Sequence, residues 1–311
     1  PSVEQIHADN SIVYNNGSAN ARIGLTIDND ETSTNFGQIY TMTAMGQGLQ
    51  RWNPDLTKNG SKLLTNMFGF DGASSTSSNK YVRSNRMTVN NGKIYIANYA
   101  AENKGVWVYN PSGSTATQIL KAYYERTVGF SDSGSNRVMY TSNENGIYYY
   151  NIGTADTWSA GTVDNTNPTG KITTNFANGD GDIIITNKGI LVSQRRYRGS
   201  NVSNEPVFAF YSTAGTELFN SSTLSSILGG TERGGMVISS DLSTFAIVDG
   251  WEQDANYNGI AGDIEIDIFK VTWSGNTPSF TYQYSIPLTG TQCVDQLAFD
   301  HAENLYVASR E

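Results

Sequence analysis

The chain repeats one pattern of apolar and polar positions six times along its 311 residues. Each repeat has a short apolar segment, a tight turn rich in Asn, Asp, Ser or Gly, and a second apolar segment often carrying Tyr. Asn-Gly and similar pairs between two apolar runs are typical of β-hairpins. The six predicted first strands contain Leu25, Met87, Val128, Ile172, Met236 and Leu297. The pattern therefore predicts six sheet units, each opening with a hairpin.

Further strands follow most of these hairpins. An aromatic-rich third strand is predicted in 105–109, 146–151 and 207–211, and segments such as 62–64, 118–120 and 280–284 stand where a fourth strand belongs. Successive units lie 41 to 64 residues apart, and four-stranded units of roughly this length are typical propeller blades. The prediction is an all-β, six-bladed β-propeller of four-stranded antiparallel blades, forming a single domain over residues 1–311. A β-sandwich is the alternative.

Closure of the predicted ring needs strands from both chain ends. The sixth unit begins at Leu297 and has room before Glu311 for only its inner hairpin. Two apolar stretches within residues 2–16 can supply the outer strands of the same blade. Such closure removes exposed sheet edges and would bring His7 near His301.

Two segments of the repeat resemble known propeller families. Met236 to Val248, with its Ser-Ser-Asp turn and following hydrophobic strand, resembles the inner hairpin of TolB-like six-bladed propellers. Gly92 to Pro111 is similar to the same unit in NHL-type bacterial propellers. The resemblance implies the fold. Because propellers host binding modules and enzymes alike, function must be argued from a site.

Composition and charge narrow the classes of partner and location. The chain holds 32 Asn, 31 Gly and 18 Tyr, with 16% charged residues, which favours strands and turns over helices. Its net charge of −9 has the wrong sign for nucleic acid. No apolar run approaches the roughly 18 residues of a membrane span. One cysteine, Cys293, permits no internal disulfide, and the overall composition favours an exported, extracellular or cell-surface bacterial protein.

A set of basic and aromatic residues forms the candidate ligand site. A basic residue precedes the predicted first strand in five of six units, at Arg22, Arg86, Arg126, Lys171 and Arg233. First strands of propellers are innermost, so these residues could form a cationic ring that attracts a uronate, sialic acid or phosphate. Nearby loops would add stacking and cationic side chains from Tyr124, Arg195, Arg196, Tyr197 and Trp251. Pairing of the ring with neighbours such as Glu125 and Glu232 is the alternative.

A second candidate site is a calcium loop. The segment Asp254-Ala-Asn256-Tyr-Asn258-Gly, followed after five residues by Glu265, matches the spacing of oxygen ligands in calcium loops. Asp263 or the carbonyl of Ile260 would add further ligands. The flanks look like strands rather than helices, and a plain Asn-Gly hairpin loop explains much of the pattern.

No enzyme signature accompanies these features. The chain lacks a Gly-x-Ser-x-Gly elbow, and two histidines cannot build a three-histidine metal site. The expected function is an extracellular, non-catalytic binding or scaffold propeller that recognises an acidic glycan or a protein partner at the channel mouth. A glycan-active lyase or hydrolase and a structural module of a larger surface assembly are the alternatives.

Overall fold

The fold is described from a computed structural model of the chain. The described residues are 23–43, 49–61, 63, 86–98, 104–121, 127–131, 137–143, 145–153, 167–176, 180–194, 206–228, 235–249, 264–288 and 293–310. Twenty-one strands and a short 3-10 helix at Ser221–Leu224 form within them. No helix in this part of the chain is long and apolar enough to cross a membrane.

The strands form six separate antiparallel sheets, each built from consecutive strands. In chain order the sheets are β1 (Ile23–Ile27), β2 (Ile39–Thr43) and β3 (Leu49–Trp52); β4 (Met87–Asn90), β5 (Lys93–Asn98), β6 (Gly105–Tyr109) and β7 (Ala116–Lys121); β8 (Thr127–Ser131), β9 (Val138–Asn143), β10 (Gly146–Asn151) and β11 (Gly170–Ile172); β12 (Asp180–Thr186), β13 (Gly189–Gln194), β14 (Phe208–Tyr211) and β15 (Glu217–Asn220); β16 (Met236–Ile238), β17 (Thr244–Asp249), β18 (Glu265–Ser274) and β19 (Thr277–Pro287); β20 (Cys293–Phe299) and β21 (Leu305–Arg310).

The sheets are arranged as a β-propeller. The first strand of each sheet contacts the first strands of its neighbours, and β20 contacts both β16 and β1, which closes the ring. Five sheets of three or four strands are blades, whereas the sixth position holds only the two-stranded hairpin β20–β21. The predicted number of six four-stranded blades is corrected accordingly. Residues 2–16, predicted to complete the last blade, lie outside the described residues.

The fourth unit differs from its predicted register. Ile172, predicted in the first strand of that unit, ends β11, which pairs with β10 as the outermost strand of the third blade. The inner strand of the fourth blade is instead β12, because a two-residue turn joins it directly to β13. The Thr186 hydroxyl accepts the backbone N–H groups of Lys188 and Gly189 and fixes this turn. Lys171 therefore lies on an outer strand, where its ammonium sits over the Tyr148 ring.

The other predicted hairpins are confirmed, with Asn91 and Gly92 as the clearest turn. Both residues have positive φ, 49° and 66°, as a two-residue turn between right-twisted strands requires. The hydrophobic core lies between neighbouring blades. Between the fourth and fifth blades, the Phe208 ring lies 4.7 Å from that of Phe245 and 5.0 Å from that of Phe280. Each such buried ring contributes about 1.5–3 kcal/mol through the apolar surface it removes from water.

Candidate functional site

Each inner strand has one unpaired edge, which faces the channel at the centre of the ring. Strands β1, β4, β8, β12, β16 and β20 each pair with a single neighbour, so their other edges present backbone N–H and C=O groups to the channel. At the end where these strands begin, Gln296 satisfies two of these groups. Its Oε1 accepts the N–H of Leu25 at 2.9 Å, and its Nε2 donates to the carbonyl of Met87 at 3.2 Å.

An ion pair crosses the channel beside Gln296. Arg86, just before β4, places Nη1 3.2 Å from Oδ2 of Asp182 on β12, and the two side chains are 13% and 7% exposed. The Asp182 carboxylate also accepts hydrogen bonds from the Thr127 side chain and the Met236 backbone. Burial raises the pKa of the Asp182 carboxyl, and the Arg86 guanidinium opposes that rise. Arg86, Thr127, Asp182 and Gln296 are called the polar floor below.

The polar floor ties all six inner strands together. Its hydrogen bonds and ion pair reach Leu25 of β1, Met87 of β4, Thr127 of β8, Asp182 of β12, Met236 of β16 and Gln296 of β20. Gly235 allows this close approach. A Cβ at that position would lie 2.9 Å from the Cα of Gln296 and 3.0 Å from Nη1 of Arg86.

A cavity of about 480 Å³ extends from the polar floor to the turns at the other end of the inner strands. The turn residues that line its mouth, called the rim below, are Asp28, Asn29, Asp30, Asn90, Asn91, Ser240 and Asp300. Asn29, Asn91 and Ser240 are exposed, whereas Thr127, Asp182, Met236 and Gln296 at the opposite end are buried. Among the described residues, the cavity is therefore closed at the polar-floor end and open at the rim, and it is called blind in that sense.

The rim carboxylates are held by the turns that they build. Asp28 accepts the backbone N–H of Asp30 at 3.2 Å and the hydroxyl of Ser33 at 2.6 Å. Asp30 accepts both the N–H and the hydroxyl of Thr32, and these hydrogen bonds keep the pKa of Asp30 below its ordinary value. Asn29 donates to the carbonyl of Phe299 at 2.8 Å and links the first blade to β20. The rim is thus preorganised and negatively charged.

A smaller hollow adjoins the cavity between the fourth and fifth blades. It has a volume of about 250 Å³ and is lined by residues 184–187, 238–240 and 242. Four residues line both hollows: Ile184, Ile185, Ile238 and Ser240. This side groove therefore continues from the mouth across the rim.

Of the predicted ligand residues, the structure describes Arg86 and Lys171, and neither lines the rim. Arg86 lies at the closed end and its charge is engaged by Asp182, whereas Lys171 lies on the outer strand β11. The remaining candidates, Arg22, Tyr124, Arg126, Arg195, Arg196, Tyr197, Arg233 and Trp251, lie outside the described residues. The described strand ends nearest to them in sequence, at the starts of β1, β8 and β16 and the ends of β13 and β17, all lie at the polar-floor end.

The predicted calcium ligands are described only at Glu265. This residue begins β18, and its carboxylate lies within 4.8 Å of those of Asp249 and Asp267. Asp267 accepts the Ser285 hydroxyl at 2.7 Å. Asp254, Asn256, Asn258, Ile260 and Asp263 lie outside the described residues. The sequence pattern did not include Asp249 or Asp267.

No protein-family model and no curated protein sequence matches the chain. Among solved structures, the chain is similar to a chain of the nidogen/laminin complex at 13% identity, with a TM-score of 0.50, covering 88% of this chain and 84% of that one. It is also similar to a structural-genomics protein of unknown function from Bacteroides thetaiotaomicron at 13% identity, with a TM-score of 0.52, covering 92% and 66%. A third similar structure is the Dos1 propeller, at 10% identity and a TM-score of 0.46, with coverage of 94% and 67%. These likenesses concern the fold alone.

Proposed function

We propose that this chain is an exported, non-catalytic binding or scaffold propeller whose ligand enters the blind cavity through the rim. The cavity itself carries the proposal. It lies within the range of about 300–1,000 Å³ typical of small-molecule sites, and free strand edges supply its walls with hydrogen-bonding groups. Export rests on the composition of the chain.

A binding role is favoured over a glycan lyase or hydrolase by the groups that line the cavity. Its described titratable lining residues are four aspartates, Asp28, Asp30, Asp182 and Asp300. Asp182 is paired with Arg86 in the polar floor, while the other three carboxylates accept hydrogen bonds from residues of their own turns. Each of these carboxylates already has a structural partner, as expected of a surface that recognises rather than cleaves.

Incubation with a mixed polysaccharide library separates binding from catalysis. The protein should be retained on at least one immobilised glycan or partner surface while releasing no new reducing ends and no unsaturated sugars. Release of either product in proportion to protein concentration would establish an enzyme instead.

We further propose that β20–β21 is the inner half of a sixth blade, completed by residues 2–16. Two strands alone would leave the outer edge of β21 unpaired between two larger sheets, and propellers avoid such exposed edges. Paired cysteines at position 5 and at a facing position of β21, such as Val307, should form a disulfide if this pairing occurs. A free-thiol count of two in the oxidised variant, with Cys293 replaced by Ser, would contradict it.

A structural role in a larger assembly is the second candidate, favoured by β19. This eleven-residue edge strand contains no charged residue, although the chain carries a net charge of −9. Tyr282 and Tyr284 are 37% and 41% exposed on it. Gln283 donates to two carbonyls of its own strand, so the contact would join tyrosine side chains rather than extend the sheet. We propose that β19 of a second copy occupies this surface, because two uncharged strands do not repel each other.

Light scattering over a concentration series tests this second candidate. Tyr284→Lys should shift a dimer to monomer, whereas Ser114→Lys, at an exposed turn of the second blade, should leave the mass unchanged. A wild-type protein that stays monomeric at all concentrations would exclude this contact.

A further inference from the structure

We infer that the blind cavity binds a neutral, hydroxyl-rich ligand, the end of a neutral sugar chain, and discriminates against acidic sugars. The inference rests on the proposed binding function and names the ligand class of the same site. It differs from the acidic ligand that the basic residues near the inner strand starts predicted. It follows from the hydrogen-bonding groups of the walls, the charge of the lining and the shape of the two hollows.

The walls match groups that both donate and accept hydrogen bonds. Each inner strand presents alternating N–H and C=O groups along its free edge. At the mouth, the Asn29 amide donates to the Phe299 carbonyl and the Ser240 hydroxyl donates to Glu303, and the side-chain oxygen of each can still accept from a ligand. A sugar hydroxyl donates and accepts at once, so neighbouring hydroxyls can satisfy both kinds of group. A carboxylate or phosphate only accepts and would face the carbonyls without a partner.

The charge of the lining acts in the same direction. The ion pair with Arg86 balances Asp182. The three remaining lining aspartates lie at the rim, where Asp30 and Asp300 are partly exposed and Asp28 is buried. A carboxylate accepts strong hydrogen bonds from hydroxyl groups. The same carboxylates repel an anion, most strongly where water is partly excluded.

The shape of the site suits the end of a chain rather than an isolated small molecule. The cavity of about 480 Å³ is closed by the polar floor, so it accepts a terminal unit. The side groove of about 250 Å³ leaves the mouth between the fourth and fifth blades, and Ser240 stands at the junction. A second unit can therefore lie in the groove while the first occupies the cavity.

Calorimetric titration of the full chain tests the ligand class. The probes are neutral mono- and disaccharides, each paired with the uronic acid of the same configuration. We expect at least one neutral disaccharide to bind more tightly than its monosaccharide, and at least ten times more tightly than its acidic counterpart. Ser240→Trp should abolish this binding by filling the mouth. Ser114→Trp, at an exposed turn of the second blade, is the matched control and should bind as the wild type does.

The outcomes separate this inference from the proposed function. Equal or tighter binding of the uronic acid would overturn the ligand class while leaving a binding propeller. Sugar binding that persists in Ser240→Trp, with an unchanged melting temperature, would overturn the site. Absence of binding to every probe would overturn the inference; retention on another partner surface would then still support the proposed function.

Discussion

Replacement of Arg86 by Met should destabilise the ring through the charge that it leaves behind. Asp182 is 7% exposed and lies 3.2 Å from the guanidinium, a separation at which two unit charges attract by about 5 kcal/mol at an effective dielectric constant of about 20. Removing one partner of a buried pair costs about 3–5 kcal/mol. For 311 residues, the usual unfolding entropy of about 2.1 cal/mol/K per residue converts a loss of 4 kcal/mol to a melting temperature about 6 °C lower.

The loss in Arg86→Met should depend on pH. Without the guanidinium, the pKa of Asp182, already raised by burial, rises further above its unfolded value near 3.8. The folded variant then binds a proton that the unfolded chain releases, so its stability falls as pH rises through the folded pKa. The deficit relative to wild type should be largest at pH 8 and should shrink as pH falls toward 4.

Denaturant titrations of the single and double variants provide the check. Asp182→Asn is the comparison because it cannot titrate, so its deficit should vary less with pH. In Arg86→Met with Asp182→Asn, much of the lost stability should return, with a coupling energy of at least about 2 kcal/mol. A deficit below about 1 kcal/mol for Arg86→Met, or one of equal size at pH 5 and pH 8, would refute the reasoning.

Four other outcomes are expected. Phe280→Ala should lower the unfolding free energy by about 3–5 kcal/mol, because its ring, 6% exposed, packs against three other phenylalanines; chemical denaturation with an unchanged midpoint would contradict this. Replacing Arg126 and Arg233 together by Ala should abolish any retention on acidic polysaccharide, and unaltered retention would exclude the cationic ring. Calcium should raise the melting temperature of chelator-treated protein and lose that effect in Glu265→Gln. The Asp241 pKa is lowered by Ser239 and Ser243 below 3.8, so its stabilising contribution is lost as pH falls through the folded pKa, and Asp241→Asn should flatten the acid limb of a stability–pH profile.

The sequence predicted the hairpins well because their signals are local. Turn residues such as Asn91-Gly92 and alternating apolar runs fix two strands without reference to the rest of the chain. The prediction for the fourth unit was wrong because Gly170–Ile172 is only three residues long, and its pairing with β10 depends on tertiary contacts rather than on local sequence. The same slip assigned Lys171 to the channel. A repeat pattern gives the order of strands, but it does not say which sheet receives a short one.

The polar floor was missed because no local signal marks it. Asp182 and Gln296 are 114 residues apart, and each is a buried polar residue directly before an apolar run, 183–185 and 297–299. Burying a polar side chain without a partner costs free energy. Their positions in the sequence therefore indicated that each residue pairs with a charged group or a backbone group of another blade. The structure describes two of the basic residues predicted to precede inner strands: Arg86 faces a buried acid rather than a ligand, and Lys171 lies on an outer strand.

The chemical difference between the two ends of the channel follows from the direction of the inner strands. All six run from the polar floor, where Arg86 and Gly235 precede β4 and β16, toward the rim, where the residues of their first turns collect. Tight turns require Asp, Asn, Ser or Gly, since these side chains bond the backbone of the turn itself. A ring of parallel inner strands thereby gathers carboxylates and amides at the turn end, as Asp28, Asn91 and Ser240 illustrate. The rim of this propeller is acidic because its hairpins need such turns, and a ligand entering there meets that chemistry whatever the charge of the opposite face.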